Sequence, residues 1–190
     1  NLARSLAHEP PNVINPITLA ERARQIAAEN SLKATIFDEN QLSQMGAGAL
    51  LAVGQGSQTP PRLIALEYPG SEAEPGAEPV VVVGKAITFD TGGYSLKDRQ
   101  GMLGMKYDKS AGADVLAILQ AAAQLKLKTP VVGLVSAAEN MVSGKAYRPN
   151  DIITTLAGKT VEIISADAEG SLVLADALTY AQQHYQPRAI

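Results

Sequence analysis

Six side chains in two short stretches carry the chemistry open to this chain: Lys85, Asp90, Lys97 and Asp108 in the first, Asp167 and Glu169 in the second. The first stretch reads Val83-Gly-Lys-Ala-Ile-Thr-Phe-Asp90-Thr-Gly-Gly-Tyr-Ser-Leu-Lys97 and runs on to Met105-Lys-Tyr-Asp108; the second is Ser165-Ala-Asp-Ala-Glu-Gly-Ser171. Carboxylates set among glycines and apolar residues are costly to bury as bare charges, so a cationic partner is the natural way to keep them there. A divalent metal is the first candidate. Oxygen-rich ligand sets favour magnesium, manganese or calcium, and zinc also accepts carboxylates, so the donor types leave the ion open. More carboxylates than one ion needs point to a pair of ions, able to lower the pKa of a water and to polarise a carbonyl or phosphoryl group.

Each residue taken alone has a plainer use. Asp90 suits a turn and Asp167 a helix N-terminus, on hydrogen-bond and dipole grounds. Lys85 and Lys97 are the type most often found solvated. His8 and His184 lack a metal-type spacing, Gly54-Gln-Gly56 lacks the third glycine of a dinucleotide fingerprint, and Ser136 and Ser143 have no nucleophile-elbow context.

The elements that must position the six residues read as α/β. Asn12 to Pro16 is a turn, and Thr18-Leu-Ala-Glu21 has the form of a capping box opening an exposed helix that runs to about Asn30. Strands are expected at 34–37, at 62–68, where apolarity is too even for half exposure, and at 80–83, an unbroken valine run that reads as a buried central strand. An acidic Pro/Gly-rich surface loop over 69–79 precedes that run. A helix over 111–127 leads to a strand at 131–135, which implies a parallel crossover; 152–155 and 160–164 flank a hairpin-like Ala157-Gly-Lys159, and a last helix covers 172–183. The expected architecture is a mostly parallel sheet with helices on both faces, in one domain without internal repeats. Lys85 and Asp167 then sit beyond strand carboxyl ends, where ligand crevices form in such sheets. Asp167 and Glu169, two apart, project to the same side if the stretch is extended.

At 190 residues, 46% apolar and 18% charged, the chain can bury a substantial core. A net charge of -3 without any Lys/Arg block gives no nucleic-acid footprint. The lack of cysteine excludes disulfides and thiolate metal sites and fits a reducing compartment, with cytoplasm the default; no apolar run reaches membrane-spanning length. The chain opens at Asn1 and stops at Arg188-Ala-Ile190, where an apolar run has begun after Pro187, so a fragment or processed product is expected.

The motifs go further. Gly84-Lys-Ala-Ile-Thr-Phe-Asp-Thr-Gly-Gly-Tyr94, Met105-Lys-Tyr-Asp108, Ala138-Glu-Asn-Met-Val-Ser-Gly144, Tyr147-Arg-Pro149, Asp151-Ile-Ile153 and Asp167-Ala-Glu-Gly170 together resemble the leucine aminopeptidase (cytosol aminopeptidase) family of dimetal exopeptidases. The resemblance begins at Pro10-Pro-Asn12, the family's interdomain junction, so residues 1–190 correspond to the N-terminal two-thirds of its catalytic domain, incomplete on the C-terminal side and without the family's N-terminal domain. It implies that Lys85, Asp90, Asp108, Asp167 and Glu169 ligate two divalent ions, manganese or zinc, with Lys85 as a neutral amine. It also implies that Lys97 is catalytic, stabilising the oxyanion formed when a metal-bridging hydroxide attacks the peptide carbonyl. The substrates implied are peptides with leucine-like N-terminal residues. The partners implied are the remainder of a parent protein or a companion chain, and a homohexamer.

One position departs from that pattern: where the family carries an arginine that helps hold a bicarbonate, this chain has Ser171, which lacks the guanidinium's charge and fork of donors. Ser165-Ala166 replaces Asn-Thr, and Lys109-Ser110-Ala111 replaces a Met-Gly-Gly-like segment. Two functions are therefore expected to compete, an aminopeptidase slowed at Ser171 and an inactive descendant with a scaffolding role.

Overall fold

The computed structural model describes residues 1–74 and 76–190. Its elements run α1 (Leu2–His8), α2 (Pro16–Glu29), β1 (Lys33–Phe37), α3 (Glu39–Met45), α4 (Gly48–Gly54), β2 (Arg62–Tyr68), β3 (Val80–Asp90), α5 (Arg99–Met102), a 3-10 turn (Met105–Lys109), α6 (Ser110–Gln124), β4 (Val131–Asn140), β5 (Ile152–Thr154), β6 (Thr160–Glu162) and α7 (Glu169–Tyr185). Four strands form one sheet in the order β1-β2-β4-β3, and β5 and β6 pair as a separate hairpin.

Helices flank the main sheet on both faces, as expected, but the sheet is mixed rather than mostly parallel. Only β3 and β4 are parallel neighbours, joined through α6, whereas β1-β2 and β2-β4 are antiparallel. The apolar runs in β2 and β4 record burial on two faces. Direction depends on the connections, and α3 and α4 between β1 and β2 were not anticipated from the sequence.

Alternation along each strand divides the core in two. Leu63, Ala65, Val132, Leu134 and Ile87 pack toward α3, α4 and α7. Ile64, Leu66, Val131, Val135 and Ala86 pack toward α1, α2 and α6. Helix α6 contributes Val115, Leu116 and Leu119, each nearly inaccessible, for about 2 kcal/mol of hydrophobic stabilisation apiece. Its first turn lies hard against β3, because Gly84 and Gly112 have no Cβ: one added at Gly112 would come within 2.7 Å of the Ala86 and Val135 side chains. That close approach carries the 3-10 turn, and Asp108 with it, to the middle of β3.

Several boundaries differ from the sequence expectation. The capping box of α2 lies one turn earlier, with Asn15 Oδ1 accepting from the Thr18 amide at 3.1 Å and Thr18 Oγ1 from the Asn15 amide at 2.9 Å. Pro16 at the first helical position favours that start. The helix is not an exposed one: Leu19, Ala20, Ala23, Ile26 and Ala27 are buried beneath the sheet. Strand β3 continues through Lys85 to Asp90, and β6 is outside the main sheet. Helix α7 begins at Glu169, so Asp167 and Glu169 do not share an extended stretch. Residues 188–189 lie along the start of β3, with the Val81 amide donating to Ala189 O at 2.9 Å. Among the described residues no helix is long and apolar enough to cross a membrane.

One carboxylate ties the α7 layer together. Asp176, 1% exposed, accepts from the Leu50 amide at 2.9 Å and the Leu156 amide at 2.8 Å, and so closes the N-terminus of α4, whose own cap position is Ala47. Burial pushes its carboxyl up, and the backbone bonds from Leu156, Leu50 and Ala49 oppose the rise. Asp176→Ala strands these donors in the core and should remove about 3 kcal/mol, lowering the thermal midpoint by roughly 10 °C. Asp114→Ala, on the exposed side of α6, should leave the midpoint within about 1 °C.

Candidate metal centre

Parallel pairing places Asp90 opposite Asn140 at the carboxyl ends of β3 and β4, and a register irregularity between Ile87 and Asp90 re-aims the end of β3. Asp90 Oδ1 accepts from the Gly92 amide at 2.9 Å and from Asn140 Nδ2 at 2.8 Å. Gly92, at φ 84°, turns the chain where a Cβ would meet Ser95 O and the Asp167 carboxylate. The loop closes through the Lys97 amide on Thr91 O at 3.0 Å. Lys97 Nζ thereby reaches Asp90 Oδ2 at 3.0 Å and also contacts Asp167 Oδ1.

The second lysine holds the other two carboxylates. Lys85 Nζ, projecting from the middle of β3, lies 2.7 Å from Asp108 Oδ1 and 3.3 Å from Glu169 Oε1. Burial works against the charge on both lysines. For Lys85 it is outweighed by Asp108 and Glu169, and for Lys97 by Asp167 and Asp90, so both ammonium pKa values are raised.

All six residues singled out in the sequence therefore converge, from a strand, a loop, a 3-10 turn and the start of a helix. Carboxylate oxygens of Asp90, Asp167 and Glu169 lie within 4.8 Å of one another. Asp90 and Glu169 are each 2% exposed, whereas Asp167 opens to solvent. Glu169 Oε2 is buried with no hydrogen-bond partner, an arrangement that suits a cation better than it suits the protein alone. Burial, then the charge of Asp90, push the Glu169 carboxyl up to about 7, with Lys85 opposing the rise. The oxygen donors, their spacing and the unpartnered Oε2 together fit one or more divalent ions.

Three supporting residues escaped sequence reasoning. Asn140, fully buried, donates to Ala166 O at 2.9 Å as well as to Asp90; Tyr147 Oη donates to the same carbonyl at 2.7 Å; and Ser95 Oγ accepts from the Ala166 amide at 3.0 Å. Burial, followed by the charges of Glu169, Asp90 and Asp167, raises the Tyr147 phenol, keeping it a donor. The only signal available was that Asn140 and Tyr147 fall inside motifs that carry the family resemblance.

Other residues lie outside the cluster. His8 Nδ1 is 3.1 Å from Tyr107 Oη, His184 stacks on Tyr180 at 4.0 Å, and Ser136 Oγ donates to Val173 O. Lys109, in the segment that departs from the family pattern, points at α1. Its Nζ donates to Ala7 O at 3.2 Å, Glu9 O at 2.8 Å and Lys106 O at 2.6 Å, while burial and Lys106 push the ammonium down to about 8.

Residues 1–190 match the family model described as the cytosol aminopeptidase family, catalytic domain. The chain is 51% identical over 189 residues to the "Probable cytosol aminopeptidase" of Syntrophotalea carbinolica, covering 100% of this chain and 37% of that protein. It is 48% identical over 190 residues to the protein of the same name from Exiguobacterium sibiricum, again over 100% of this chain and 39% of the relative. The crystal structure of cytosol aminopeptidase from Coxiella burnetii matches with a TM-score of 0.90 at 36% identity, over 96% of this chain and 39% of that one. The chain thus spans under two fifths of the length of these relatives.

Glu169 links this cluster to stability. In the metal-free chain its folded pKa of about 7 lies above the ordinary 4.5, so its stabilising contribution is fully present below pH 4.5 and is lost as pH rises through 7. Glu169→Gln should remove that loss, leaving the variant several degrees more stable than the parent at pH 8 in chelator and close to it at pH 4.5. Thermal melts at the two pH values read the difference, and parallel profiles would contradict the assignment.

Proposed function

This chain belongs to the cytosol aminopeptidase family, and from that premise we propose that it forms the N-terminal two-thirds of the catalytic domain of a two-metal aminopeptidase. The reaction proposed is removal of N-terminal, leucine-like residues from peptides. The observation that carries this reading is the convergence of four carboxylates and two lysines on one centre, with a buried carboxylate oxygen left unpartnered. A scaffold without catalysis has no physical use for so much opposed charge.

In this reading Lys85, Asp90, Asp108, Asp167 and Glu169 hold two divalent ions, manganese or zinc. Bound there, the ions supply an activated water and polarise the scissile carbonyl. Lys97 supplies the protein's own electrostatic contribution. Two of its three N–H groups are directed to Asp90 and Asp167, which fixes the ammonium and keeps it charged, and the third is free for the oxygen that becomes negative during attack. Lys85 is an ammonium between Asp108 and Glu169 in the absence of metal, and serves as a ligand only after releasing that proton. The carboxylates of Asp90 and Glu169 lie in a nearly dry pocket, where fixed charges act more strongly than in water. We place the protein in the cytoplasm, in keeping with the relatives' printed name, and propose a hexameric parent that provides the remaining substrate contacts.

The test is hydrolysis of leucine amide by the intact parent after chelation and readdition of manganese. Activity should disappear with chelator and return with the metal. Lys97→Met should lower kcat by roughly 100-fold or more while manganese stoichiometry is retained. Tight metal binding without any turnover would favour the scaffolding role instead. Ser171 is exposed on the first turn of α7, beside Glu169. Ser171→Arg should raise kcat for the same substrate, and an unchanged rate would remove the role given to this position.

A further inference from the structure

We infer that Asn140 is a positioning residue that sets the separation between Asp90 and Asp167. The inference rests on the metal-centre reading above, but concerns a residue outside the proposed ligand set. Asn140 ends β4, directly across the parallel ladder from Asp90, so its side chain is delivered to the same face of the sheet. Its amide nitrogen has two hydrogens, and both are committed: one to Asp90 Oδ1 at 2.8 Å, the other to the carbonyl of Ala166, the residue before Asp167, at 2.9 Å. Both partners are acceptors, so the amide can only be oriented this way.

The rest of the residue is consistent with a clamp rather than general packing. Asn140 is fully buried, yet its Oδ1 has no partner, an orphan of the kind that normally destabilises. A side chain serving stability alone is better replaced by an apolar one at such a place. The backbone fixes the clamp in turn, with Asn140 O accepting from the Thr91 amide at 3.0 Å and from Thr91 Oγ1 at 2.8 Å. On the far side, Ala166 O takes a second bond from Tyr147, and the Ala166 amide donates to Ser95. The turn before Asp167 is therefore anchored at three points, of which Asn140 is the one that also bonds the Asp90 carboxylate, while Lys97 links the two carboxylates themselves through Asp90 Oδ2 and Asp167 Oδ1. Groups that orient metal ligands typically change metal affinity 10–100-fold when lost.

Isothermal titration of the intact protein with manganese alone, paired with thermal melts in chelator, tests this. Asn140→Leu, which keeps the branching of the side chain and discards both donors and the orphan, should weaken manganese binding at least tenfold while the chelator melt moves by less than about 3 °C. Asn140→Ser, too short to span both acceptors, should lose affinity to a similar degree and serves if the leucine variant fails to fold. Tyr147→Phe, which leaves the Asp90 connection intact, should lose no more than about threefold. Affinity within twofold of the parent in both Asn140 variants would overturn the inference, as would losses equal to that of Tyr147→Phe. A parent protein that binds no manganese would overturn the metal-centre reading itself, and this inference with it.

Discussion

Four carboxylates gathered in a pocket where two of them are almost out of reach of water define the constraint on this molecule. Like charges at such separations repel strongly in a medium of low effective dielectric. The chain meets that constraint by interleaving two lysines, Lys85 bridging Asp108 and Glu169, and Lys97 bridging Asp90 and Asp167. Two negative charges remain uncompensated. Burial, and then the charge of Asp90, push the Glu169 carboxyl up to about 7, and a first divalent ion would balance the remaining charge.

Charge balance alone cannot place these groups, and the fold does so by aligning chain segments of different kinds. The parallel pair β3-β4 brings Asp90 beside Asn140, and α6, pressed onto β3, delivers Asp108 to Lys85. The loop over 91–97 turns back on itself at Gly92, which returns Lys97 to the end of the strand it left. Helix α7 starts at Glu169, so that residue occupies the first turn, where the helix dipole favours a negative side chain. Each charged group of the cluster thus depends on a contact made by another element, and loosening one strand end would disturb several at once.

The residue types of the cluster were legible because their chemistry is local: carboxylates and lysines among glycines mark an ion site wherever they fall in the fold. Burial was legible at 62–68, whose even apolarity marks a strand covered on both faces, but not at 80–83, where the valine run begins the strand that stands last in the sheet order and only Val81 is fully buried. Strand direction was not, because an apolar run looks the same in a parallel or an antiparallel neighbourhood. Helix α4 was missed because Gly48–Gly54 is apolar on all sides and offers no amphipathic period, and α3 because Leu42 is the one buried residue in its single short run. Asn140 and Tyr147 carried no separable signal, as an asparagine's role is set by which two acceptors stand within 3 Å of it.

The cluster also shows how stability and chemistry are coupled here. Without a cation, the buried charge of Glu169 works against folding, and Asp90, beside it, raises that burden. A divalent ion converts this unfavourable repulsion into attraction, so its binding free energy enters the folding equilibrium directly. On the proposed two-ion reading, a second doubly charged cation would carry the pocket from balance to an excess of two positive charges, and loss of the Lys85 proton would halve that excess. In that reading the residue that stabilises the metal-free chain as an ammonium would become a neutral donor. Such an exchange would tie occupancy of the centre to pH through Lys85, while Lys97, held between Asp90 and Asp167, would keep its charge.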